Sequence, residues 1–186
     1  MNWLVDTQLI ADWCLWQLAD EPDSTRRVVR APATFSVLRV RPDLQAFERE
    51  MGRSRVLLAQ SVLVEASGVV RREISNAHRG TVDRRTEPVV RVALRFTDRF
   101  KAEIVLVAEA AADKELRQLN SRGRGQERPF DLGDAALIAA LSTDRVLLTA
   151  DKPLRDHCVN VGRKNVFYFS QGKILDGRGY PVRDRA

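Results

Sequence analysis

Trp3-Leu4-Val5 is an uninterrupted apolar run that stops at Asp6, the pattern of a short strand buried on both faces. Leu9, Ile10, Trp13, Leu15, Trp16 and Leu18 then recur at helical spacing, so a helix follows directly, and Glu21-Pro22-Asp23-Ser24 breaks it. Thr25 to Pro42 shows no period and is rich in Arg. Residues 43–51 read as a short helix stopped by Gly52, and after Ser54-Arg55 a turn or strand leads into a helix over roughly 60–75. Residues 76–88 form a polar, basic loop before a helix over about 88–100. The period then changes. Ile104-Val105-Leu106-Val107 is a β-branched run expected to be a buried strand, followed by an alanine-rich helix from Ala108 to about Arg122. The loop GRGQERP separates it from a helix opened by Asp131 or Asp134 and continuing through Leu137-Ile138-Ala139-Ala140. Arg145 to Thr149 is another buried strand, 152–158 a short helix, and Asn165 to Phe169 a last strand; the segment from Gln171 reads as a loose basic extension.

Strands alternating with helices predict an α/β fold, a sandwich whose mainly parallel central sheet is flanked by helices. No linker or repeat divides the chain, so one domain is expected over 1–170, with an Arg-rich insert around 20–55 and a C-terminal extension over 171–186. In such sheets ligands bind beyond the carboxyl ends of the strands. Asp6 and Asp151 both fall there.

Composition adds little to the fold and something to the partners. The 186 residues are 44% hydrophobic and 30% charged, ordinary for a folded domain, and with 6% aromatics the core must rest on Leu, Val, Ile and Ala. The net charge of +6 fits a polyanionic partner or a plain basic surface equally well. Cys14 and Cys158 stand far apart in apolar stretches, as small buried hydrophobes, with no Cys or His at zinc-ligand spacing. The N-terminus has no signal-peptide pattern and no run of 18 apolar residues occurs, so a cytoplasmic setting without a membrane is expected.

Four acids sit in apolar surroundings: Asp6 in Leu-Val-Asp-Thr, Glu65 in Leu-Val-Glu-Ala, Asp134 in Gly-Asp-Ala-Ala-Leu-Ile, and Asp151 in Leu-Thr-Ala-Asp. Burying an ionised carboxylate unpaired costs several kcal/mol, roughly, so each needs a partner, a rim position or a cation. Clustered carboxylates also repel one another, and a hard divalent ion such as Mg²⁺ or Mn²⁺ resolves the conflict with oxygen ligands. Each acid has a local alternative. Asp6, Asp131, Asp134 and Asp151 can all cap helices, and Glu65 can edge the polar side of its own.

In their order and setting the strand-end Trp-Leu-Val-Asp-Thr, the helical Ser-Val-Leu-Val-Glu-Ala-Ser, the Asp-Ala-Ala-Leu-Ile-Ala-Ala-Leu helix and the strand-end Leu-Leu-Thr-Ala-Asp resemble the four acidic motifs of PIN domains. The nearest likeness is to the toxin ribonucleases of the VapC type, over roughly residues 2–170. Two departures stand out: the extra length around 20–55 and after 170, and the absence of a further acid soon after Asp151, where Lys152-Pro153-Leu154 follows. The resemblance implies a PIN-like three-layer sandwich and a metal-dependent endoribonuclease. Asp6, Asp134 and Asp151 would bind Mg²⁺ or Mn²⁺, Glu65 would complete the site, and Thr7 and Thr149 would position carboxylate or phosphate. It also implies RNA as substrate, a small antitoxin protein as a possible partner, and a homodimer.

Arg122, Arg124 and Arg128 precede the third acid and are the favoured substrate contacts, since guanidinium bonds two phosphate oxygens at once. His78 and His157 lack a nucleophile pattern and read as surface residues. The alternatives are a DNA-acting nuclease of the same fold, a non-catalytic PIN-like module binding nucleic acid or protein, and a phosphatase. The last would want Asp-x-Asp after the first strand, where Asp6-Thr7-Gln8 stands.

Overall fold

A computed structural model describes residues 1–20, 44–77, 87–122 and 130–182, without the side chains of 18–20, 74–77, 87–93 and 122. The Arg-rich segment 21–43, His78, Arg124, Arg128 and the Arg122 side chain therefore lie outside the described residues. In chain order the elements are β1 (Asn2–Val5), α1 (Thr7–Asp20), α2 (Gln45–Arg53), β2 (Arg55–Ala59), α3 (Gln60–Ala77), α4 (Glu87–Phe100), β3 (Glu103–Val105), α5 (Glu109–Arg122), α6 (Leu132–Ala139), β4 (Arg145–Thr149), α7 (Lys152–Asn160), β5 (Val166–Ser170) and β6 (Lys173–Leu175). Among the described residues no helix is long and apolar enough to cross a membrane.

The strands form one six-stranded sheet in the order β3-β2-β1-β4-β5-β6, parallel except for β6. β1 is central because its Trp3, Leu4 and Val5 are apolar and buried, and β2 and β4 pair with it on either side. From β1 the chain moves outward through β2 to β3, then returns to the other side of β1 for β4 and β5. Right-handed crossovers in the two directions put their helices on opposite faces, an arrangement compatible with a three-layer α/β/α sandwich. On one face Trp13 of α1, Phe47 of α2, Phe96 and Phe100 of α4 and Phe169 of β5 form a continuous aromatic cluster, with centroids 4.8–6.2 Å apart. Toward that core α3 turns Val62, Ala66 and Val70, one residue per turn of the helix. On the other face Phe130 meets the half-buried His157 edge-on at 5.2 Å, so this histidine packs rather than standing free on the surface. Both cysteines are free and buried, and burial pushes the Cys14 and Cys158 thiols upward, the latter to about 12.

Two segments differ from expectation. The run 104–107 is not a buried strand. β3 is a three-residue edge strand with Ile104 45% and Leu106 80% exposed. An apolar run gives the same signal whether or not a further strand pairs beyond it. The segment after Gln171 is not loose as far as it is described. Gln171 and Gly172 both take positive φ, 49° and 72°, forming the two-residue turn that matches hairpin twist. Lys173 thereby pairs with Ser170, and beyond β6 the Val182 amide donates to the Ile174 carbonyl.

Candidate active site

The sheet's order reverses between β1 and β4, and the crevice beyond the carboxyl ends of these two strands is where ligands settle in doubly wound folds. Asp6 leaves β1 at this point. Its amide still donates to the Leu148 carbonyl at 3.1 Å, which holds it to the β4 edge, and its side chain is 5% exposed. Asp151 follows β4 by two residues and caps α7, accepting from the Leu154 amide at 2.9 Å. Thr149, fully buried between them, donates to Asp6 Oδ2 at 2.6 Å and accepts the Asp151 amide at 2.9 Å. One hydroxyl thus sets the relative placement of two acids.

The other two acids come from helices on either side. Glu65, half-buried on α3, accepts from Thr7 Oγ1 at 2.9 Å. Asp134 is the third residue of α6, a helix that ends near the start of β4 and so directs its N-terminus to the carboxyl edge of the sheet. It forms a capping box with Asp131: the Asp131 side chain accepts the Asp134 amide at 3.0 Å, and Asp134 Oδ2 accepts the Asp131 amide at 3.1 Å. The local capping roles and the shared cluster are therefore both present, since the same residues do both.

The electrostatics tie the acids together. Burial raises the Asp6 carboxyl above its ordinary range, and the neighbouring Asp151 charge raises it further against the opposing hydrogen bond from Thr149. Glu65 is raised by burial and by the charges of Asp131 and Asp6. Asp134 is pushed up to about 7, first by burial, then by Asp131, with Asp6 and Asp151 adding to it. Burial and mutual repulsion favour the protonated form of such carboxylates, and a bound cation would favour the ionised form.

All donors here are carboxylate or hydroxyl oxygens, the set that a hard divalent ion prefers and a soft one does not. Among the described residues, no three His, Cys, Asp or Glu side chains are already drawn into a group that could hold a metal ion. Each acid instead bonds to a nearby hydroxyl or amide. The donor chemistry therefore fits Mg²⁺ or Mn²⁺. A 270 Å³ cleft at the amino edge, around Arg55, Glu103 and Asp144, and a 150 Å³ cleft beside His157 and Cys158 are lined by none of the four acids.

Asp6, Glu65, Asp134 and Asp151, with Thr7 and Thr149, are brought to one edge of the sheet; Arg122, whose backbone ends α5, and Arg124 and Arg128 carry no described side chain there. The sequence marks two residues of the cluster less fully, Asp131 only as a helix cap and Gly133 not at all. Asp131 contributes a fifth charge, and its Asp-x-x-Asp spacing before an apolar run is the signal that could have found it. Gly133 lies directly against the Glu65 carboxylate, and no sequence signal marks it. Asp12, fully buried on α1 with Gln8 Nε2 donating to it at 2.7 Å, was equally unmarked, since it stands between Ala11 and Trp13. No protein-family model matches this chain, and no curated protein matches its sequence.

Proposed function

We propose that this chain is a metal-dependent endoribonuclease of PIN-like fold that hydrolyses phosphodiester bonds at the carboxylate cluster of Asp6, Glu65, Asp134 and Asp151. The observation that carries the proposal is convergence. Acids more than fifty residues apart along the chain perturb one another at the strand-order reversal, three of them with raised pKa. Carboxylates perturbed by burial together with specific charge partners are candidates for a functional site. The order of the four motifs, and the pairing of each acid with its strand end or helix, support the PIN-like assignment over a phosphatase.

Asp6, Asp134 and Asp151 would hold Mg²⁺ or Mn²⁺, with Glu65 beside them. Bound there, the ion lowers the pKa of a coordinated water and stabilises charge on the leaving oxygen. The chain's own contribution is preorganisation. Thr149 keeps Asp6 Oδ2 fixed, Thr7 keeps Glu65 Oε2 fixed, and the α6 capping box sets where Asp134 begins its helix. Glu65, with its raised pKa, is the group suited to accept a proton from the attacking water on a carboxylate oxygen. Arg122, Arg124 and Arg128, just ahead of Asp131 and Asp134 in sequence, are the proposed phosphate contacts. A toxin role would add a small antitoxin protein covering the same cluster.

The test is cleavage of a mixed panel of RNA and single-stranded DNA with Mn²⁺, wild type against Asp6→Asn. Metal-dependent RNA cleavage that disappears in the variant is expected. Equal cleavage by both would remove Asp6 from the site, and cleavage confined to DNA would overturn the RNA assignment.

A further inference from the structure

We infer that Gly133 is a positioning residue for Glu65: its missing side chain is what lets that carboxylate enter the acid cluster. Gly133 is the second residue of α6 and is buried. A Cβ built there would stand 2.6 Å from Glu65 Cδ and closer still to both carboxylate oxygens. Real Cβ atoms essentially never come within 3.0 Å of another heavy atom, so Glu65 and any side chain at 133 exclude each other.

The backbone does not ask for glycine. Gly133 is helical and is not among the residues of positive φ, so its backbone would accept any side chain. The space has one use, which is to admit Glu65. All three nearest atoms to the built Cβ belong to that side chain. Because they are the far end of a flexible chain, the fold can absorb a methyl at 133 by swinging the carboxylate away. The swing would break the 2.9 Å bond from Thr7 and carry the charge away from Asp6 and Asp131, the neighbours whose fields it feels. Its functional consequence rests on the nuclease proposal above; the packing does not.

The experiment pairs crystal structures of metal-free wild type and Gly133→Ala with Mn²⁺ titrations of wild type, Gly133→Ala, Glu65→Ala and the double variant, using Gly52→Ala as control. A Cβ at Gly52 would meet nothing within 4 Å. In Gly133→Ala the Glu65 carboxylate is expected to leave Thr7, with no fall in melting temperature. Mn²⁺ affinity should drop by roughly 10-fold or more, as when a supporting group of a metal site is lost, and the double variant should bind no more weakly than Glu65→Ala alone. Gly52→Ala should bind Mn²⁺ as wild type does. A Glu65 carboxylate still bonded to Thr7 in the Gly133→Ala crystal overturns the inference whatever the metal does. A displaced carboxylate with equal Mn²⁺ affinity in all four proteins upholds the packing and overturns the metal role of Glu65. If Gly133→Ala alone does not fold, folding of the double variant supports the same clash and its failure to fold overturns it.

Discussion

Thr149 shows how much one hydroxyl can set. It is fully buried and spends both its donor and its acceptor on the site, giving one to Asp6 and taking the other from the Asp151 amide. Thr149→Val keeps the shape and removes both bonds. A hydrogen bond to a charged group contributes about 1.5–3 kcal/mol, and urea unfolding at pH 8 should show a loss of that order. The bond favours ionised Asp6, so its removal raises the Asp6 pKa further. The acid limb of the cleavage profile should move to higher pH, while Thr149→Ser restores it. A valine variant with an unmoved profile would deny Thr149 this part.

At the scale of the element, α6 brings Asp134 and Gly133 to the site on only eight residues. Its start is held by Asp131, which caps the helix and also adds a charge beside Asp134 and Glu65. Two substitutions separate those roles. Asp131→Ala removes the cap and should cost about 1 kcal/mol, read as a fall in melting temperature of roughly 2–4 °C for a chain of this size. Asp131→Asn keeps a good cap and loses only the charge. Its melting temperature at pH 8 should equal or exceed the wild type's, because one repulsion is gone. Equal losses in both variants would show that capping is not what Asp131 contributes.

Across the whole molecule the acid cluster sets a pH dependence of its own. Asp6, Glu65 and Asp134 all have folded-state pKa values above their ordinary ones. Through these three groups the folded state holds protons that the unfolded chain has released, so the stability they contribute is lost as pH rises, for Asp134 between about pH 4 and about pH 7. Moving Asp134 from 3.8 to about 7 corresponds to at most roughly 4 kcal/mol. Other carboxylates follow the opposite trend, so the comparison to make is wild type against Asp134→Asn without metal. The variant should be the more stable at pH 8, and the gap should close by pH 4. Mn²⁺ should stabilise the wild type more at pH 8 than at pH 5.5, since a cation binds only the deprotonated cluster. A gap independent of pH would mean that Asp134 titrates normally.

The hydrophobic pattern alone determined the α/β alternation, the central strands β1, β4 and β5, and the helix around Glu65, and it left Asp6 and Asp151 just past the ends of β1 and β4. Those features depend on local periodicity and on which residues can be buried, and both are written into short windows of sequence. Tertiary structure decided the rest. Ile104 and Leu106 look like core until the strand order leaves β3 on the edge. The hairpin at Gln171-Gly172 depends on two positive φ angles that Gln does not advertise. No single window of sequence contains the partners that raise Asp134 to about 7. Nor could any window show that Gly133 faces Glu65, a residue 68 positions earlier in the chain. Charge repulsion and steric exclusion act between residues that meet only after folding, so what they do at this site is settled by the packing of α3 against α6.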